Sequence, residues 1–112
     1  MAKFERRFKG DFDDFVKYVE SSVKSGSMSA SIEDRSDLSV DDVKVAVRVF
    51  ERYSYLGGNR VSLNVTIVAK GENIFVTAIT SGGSQAVLFK INTFGEGSFL
   101  SNFESSIDKY IK

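Results

Sequence analysis

Between Met28 and Asn92 five segments follow one another with the two-residue apolar alternation of β-strands, and helical periodicity brackets them at Asp11–Ser25 and Ser98–Lys112. This order constrains the fold because no break between the segments is longer than the nine residues of Asp34–Asp42. A parallel crossover needs a dozen or more residues, so consecutive strands must pair antiparallel as a meander. Helices at both ends of a meander with one apolar side are expected to pack on that side, giving an α+β domain.

The chain begins with another short strand. In Lys3–Lys9, Phe4, Arg6 and Phe8 share one face, and Gly10 ends the run. Asp11 is placed to cap the helix that follows, with Asp13 and Asp14 in the first turn, where negative charge complements the helix dipole. Phe12, Phe15, Val16, Val19 and Val23 recur at helical spacing and form one stripe, and Gly26 is the expected stop.

Met28, Ala30 and Ile32 alternate with Ser29, Ser31 and Glu33, and the aspartate-rich stretch Asp34–Asp42 then reads as an exposed loop. Val43, Val45, Val47 and Val49 open a strand that continues to Tyr55. A helical face through Val40, Val43, Val47 and Phe50 is the rival reading, but four alternating valines favour the strand. Gly57-Gly58-Asn59 marks a reversal before Val61, Leu63, Val65, Ile67 and Ala69. Ile74–Thr80 is apolar on both faces, and Gln85–Asn92 supplies a fifth meander strand. The final helix carries Phe99, Leu100, Phe103, Ile107, Tyr110 and Ile111 on one side. One domain spanning residues 1–112 is expected, with order β-α-β(5)-α, a curved, mostly antiparallel sheet and both helices on one face.

Composition narrows the chemistry. The chain has no Cys, His or Trp, so imidazole acid–base catalysis and thiol nucleophiles are excluded, and a non-enzyme is expected. Zinc lacks its preferred ligands, and the Glu33–Asp42 run lacks the spacing and central glycine of a calcium loop. No metal and no cofactor are expected. Fifteen basic and fifteen acidic residues cancel, leaving no global field to gather nucleic acid. No stretch approaches the roughly 20 apolar residues of a membrane span, and the N-terminus lacks the apolar segment of a secretion signal. The expected location is cytoplasmic.

Three regions remain as candidates. The first lies between sheet and C-terminal helix, where Phe99, Phe103, Ile107 and Tyr110 would form one wall of an apolar ligand pocket and Val47, Val65 and Phe89 the other. The apolar inventory, with Val43, Val45, Val47 and Val49 joining Val61, Leu63, Val65 and Ile67, is itself about what a closed core requires. The second is the strip Lys44, Arg48 and Arg52 interleaved with Ala46 and Phe50. It reads as a solvent-facing strand guarded by long cations, with binding of an acidic partner or of single-stranded nucleic acid as the less favoured use. The third is the Tyr53–Asn59 hairpin tip, where Tyr53 and Tyr55 suit a protein contact or a homodimer.

The succession of strand, helix, meander and long amphipathic helix resembles the helix-grip and TATA-binding-protein-like architectures, and the chain resembles an uncharacterised family of small bacterial proteins. Larger helix-grip proteins hold apolar ligands between sheet and helix, so the resemblance implies a binding role. The leading expectation is a non-catalytic binding protein for an apolar small molecule, and the alternative is a protein-interaction or self-association module using the hairpin tip.

Overall fold

The structure, a computed structural model, describes residues 2–26, 30–53, 60–82 and 98–111. Its elements are β1 (Ala2–Lys9), α1 (Phe12–Gly26), β2 (Ser31–Val40), β3 (Val43–Tyr53), β4 (Arg60–Lys70), β5 (Asn73–Gly82) and α2 (Ser98–Ile111). The five strands form one sheet in the order β1-β5-β4-β3-β2, every neighbouring pair antiparallel. The N-terminal strand thus lies at the edge of the sheet beside β5. The described order is β-α-β(4)-α; the further strand expected at Gln85–Asn92 lies outside the described residues.

Each element follows from local chemistry. Asp11 caps α1, its carboxylate accepting from the Asp14 backbone N–H at 2.9 Å while its carbonyl accepts from Phe15 N–H at 3.0 Å. Two-residue loops join Val40 to Val43 and Lys70 to Asn73, with Asp41 (φ 54°) and Gly71 (φ 60°) in the left-handed region that such tight reversals require. Gly82 has φ 105°, and a Cβ there would lie 2.6 Å from the Arg60 carbonyl oxygen, so no other residue suits this close strand approach.

The expected loop Asp34–Asp42 is instead mostly strand, since β2 runs on to Val40. Its residues 33–40 are exposed, which explains the absence of a readable apolar alternation; the backbone ladder with β3 continues regardless. A bulge at Glu33 interrupts the register between Ile32 and Asp34. One extra residue reverses the alternation. Ile32 pairs with core-facing Phe50, whereas after the bulge Asp34, Ser36, Leu38 and Val40 pair with Val49, Val47, Val45 and Val43 on the other face.

Both helices cover one face. Beneath them lie Phe4, Ala46, Phe50, Leu63, Val65, Ile67, Val76 and Ala78, packed against Phe15, Val19 and Val23 of α1 and Phe99, Phe103 and Ile107 of α2. Burying each such side chain contributes about 1.5–3 kcal/mol relative to leaving it in water. The stripes on both helices are those expected from sequence, except that Ile111 at the end of α2 is exposed rather than packed. The valines of β3 are not: Val45 and Val47 pair with Val68 and Thr66, while core-facing Val65 and Ile67 pair with Arg48 and Ala46. Val43, Val45, Val47 and Val49 therefore line the opposite face and are only half-buried.

Cross-links fix the helices to the sheet and to each other. Arg6 on β1 donates to Glu104 at 2.8 Å and Asp108 at 3.1 Å on α2. The Phe4 ring meets Phe103 edge-on with centroids 5.8 Å apart. Tyr18 on α1 donates to the Ser106 carbonyl at 2.6 Å, and Tyr110 on α2 donates to Asp14 at 2.5 Å. No described helix is long and apolar enough to cross a membrane.

Candidate interaction surface

The interior between sheet and α2 is packed. Val65 and Ile107 are fully buried, Phe99 and Phe103 nearly so, and Tyr110 is half-buried against Phe15 and Tyr18. Val47 faces away from the helices, so it cannot form a wall with them; Phe89 lies outside the described residues. Among the described residues the cavity in this layer measures about 30 Å³, lined by Ser22, Val23, Gly26, Arg52, Phe99 and Phe103 with two further α2 residues. That is room for about two or three water molecules, far below a small-molecule site.

The basic strip is also relocated. Lys44, Ala46, Arg48, Phe50 and Arg52 do share one face of β3, but it is the face beneath the helices, because each pairs with the buried row of β4. Phe50 is fully buried and is no stacking platform. Lys44 stays exposed with its ammonium 5.8 Å from the Phe12 ring, and the Arg52 guanidinium lies 4.5 Å over Phe99. Arg60 sits on the opposite face with Glu51 (2.9 Å) and Glu33 (3.3 Å).

Arg48 is 4% exposed. Its Nε donates to Glu20 at 2.6 Å, Nη2 to Asp37 at 2.9 Å and Nη1 to the Val47 carbonyl at 3.0 Å. Burial pulls the guanidinium pKa down, but the hydrogen bonds it donates to Glu20 and Asp37, with their negative charge, outweigh it and hold the group above the ordinary arginine value. Asp37 faces Arg48 because the Glu33 bulge reverses the parity of β2. With every polar branch of the side chain bonded, this cluster ties α1 and β2 to the centre of the sheet and leaves no reactive group.

The second sheet face carries the surface the sequence reading left unassembled. Neither described helix lies on it. One cross-strand row runs Leu38–Val45–Val68–Phe75–Arg7, with Val40–Val43 on one side of it and Val47, Val49 and Ile79 on the other. Leu38 is 49% exposed, Val40 61% and Ile79 37%. Arg7 stacks 5.2 Å over Phe75. Three cations, Lys3, Arg7 and Lys9, lie at the β1 edge with Glu5 between the first two, while Asp34 and the Asp41–Asp42 turn lie at the β2 edge.

Of the hairpin tip, Tyr53 is the described part. It ends β3 on this same second face, 57% exposed with Arg60 over its ring at 5.5 Å; residues 54–59, including Tyr55, lie outside the described residues. The proposed contact tyrosine thus shares a face with the apolar patch, separated from Val49 by the polar row Glu51–Ser62–Ser81. Sequence held one clue to that face: Ile74–Thr80 is apolar on both parities. The bulge concealed the rest.

A family model described as a family of unknown function (DUF6054) matches residues 1–111. No curated protein matches the chain.

Proposed function

The chain belongs to the DUF6054 family, and because that family carries no assigned activity we propose from the geometry that the protein is a non-catalytic interaction module that docks another polypeptide on the open face of its sheet. The observation carrying this reading is the row Leu38–Val45–Val68–Phe75, which neither described helix covers, and its apolar neighbours, a contiguous patch rather than scattered side chains. A flat, half-buried sheet face with an exposed tyrosine at one end suits a protein surface better than a small molecule, which needs a concave site to bury most of its area. The lack of histidine and cysteine supports a non-catalytic role, and the cysteine-free composition suits the cytoplasm.

Photo-crosslinking tests the reading. A benzophenone amino acid replacing Val45 is expected to give covalent protein adducts in cells producing the full chain, and the same group replacing exposed Ser105 on α2 is expected to give none. Absence of adducts from Val45, with the variant folded by circular dichroism, would refute docking on this face.

A further inference from the structure

We infer that the polypeptide received by the open face is a second copy of this chain, packed sheet to sheet about a two-fold axis running along the strands. The inference rests on the docking reading above and adds the occupant and its orientation.

Size permits it. Five strands about 4.8 Å apart and four to five outward-facing rows about 6.7 Å apart present about 700 Å², close to the 800 Å² or so that each partner contributes to a stable interface. Orientation follows from the asymmetry of the two edges. At the β2 edge Leu38 and Val40 protrude, and the acidic turn Asp41–Asp42 follows them directly. At the β1 edge, in the same two rows of the sheet, is a hollow lined by Arg7, Lys9, Val68, Lys70 and Phe75 among others. Its floor is apolar and its rim is cationic.

A two-fold axis parallel to the strands preserves a residue's level along the sheet and exchanges the edges. It therefore sets Leu38 and Val40 of each copy over the hollow of the other and brings each Asp41–Asp42 turn to the opposing Lys9, while β4 faces β4 across the axis. At the far end of the same edges, Lys3 meets Asp34 of the second copy, because the two occupy one row. Across the middle, Val45 faces Phe75 and Val49 faces Ile79. An axis perpendicular to the strands would instead set each edge on its own copy, Lys3 against Lys9 at the β1 edge, and would leave Leu38 and Val40 with no hollow opposite them. The knob and hollow, the acidic turn and cationic rim, and the Lys3–Asp34 level all satisfy the one operator that an isologous dimer requires.

Sedimentation equilibrium on the full chain over a concentration series tests this. A dimer is expected for the native chain, and a monomer with an unchanged circular dichroism spectrum for Leu38→Lys/Val40→Lys. Asp42→Lys and Lys9→Glu should each weaken dimerisation about tenfold or more, and an equimolar mixture of these two variants should restore it, since both exchanged contacts then pair opposite charges. A native chain that stays monomeric, a dimer indifferent to Leu38→Lys/Val40→Lys, or a mixture no tighter than its components overturns the inference. The crosslinking experiment separates this failure from that of the docking reading: adducts to a different protein from Val45 sink the dimer and keep the docking face, whereas no adducts sink both.

Discussion

Arg48 is held in the core by satisfaction rather than by attraction alone. Desolvating a guanidinium costs several kcal/mol, and here each nitrogen donates a hydrogen bond, to Glu20, Asp37 or the Val47 carbonyl. The partners are unequal in exposure: the Glu20 side chain is 25% exposed and that of Asp37 59%, against 5% for Arg48. Removing the buried member therefore frees two acids that reach water, while removing Glu20 strands a buried cation with one acid. Arg48→Met is expected to change unfolding free energy by less than about 1 kcal/mol, and Glu20→Ala to cost about 2–3 kcal/mol. Urea titrations would check the asymmetry; a costlier Arg48→Met would mean that the ion cluster contributes net stability. The residue was visible in the sequence as part of a cationic strip, but its partners come from α1 and β2, too distant along the chain for spacing to pair them.

Among the elements, the two helices are joined by tyrosines. Burial first, then the hydrogen bond to Asp14 and the nearby acids Asp14 and Asp11, push the Tyr110 hydroxyl from 10.0 up to about 12. Because the folded value exceeds the unfolded one, this contribution is fully present below pH 10 and is lost as pH rises toward about 12, where the unfolded chain releases its proton first. Urea midpoints measured from pH 7 to 11.5 should fall more steeply for the native chain than for Tyr110→Phe, which starts lower and loses less. Parallel curves would show that Tyr110 ionises without a linkage to folding. The Glu33 bulge acts at the same scale: a single inserted residue decides that Asp37 faces the core arginine and Leu38 the open side. Side-chain alternation cannot reveal it, because β2 beyond the bulge has no buried row to contrast with an exposed one.

For the whole molecule the decisive property is which sheet face the helices cover. Ile67→Ala, beneath both helices, should cost about 2–5 kcal/mol, while Val45→Ala on the open face should cost less than about 1 kcal/mol; thermal melts of dilute protein would compare them. Equal losses would mean that both faces are packed. Much of the plan was legible beforehand. Helix stripes such as Phe15, Val19, Phe103 and Ile107, the Asp11 cap and the antiparallel meander all follow from local periodicity and turn chemistry, which act over a few residues. Within β3, alternation also separated the valine row from the Lys44–Arg48–Arg52 row correctly. It could not say which row lies inside, because both are long and partly apolar and the arginine row hides its charge by pairing. Tertiary structure made that choice through register: the pairing of Arg48 with Val65 places Arg48 on the side where β4 is uniformly apolar and where both helices bury most hydrocarbon. Sequence alone thus determined which elements form and which residues share a face. Long-range pairing decided which face became core and which neither described helix covers, since burial is a property of the assembled layers and not of any one strand.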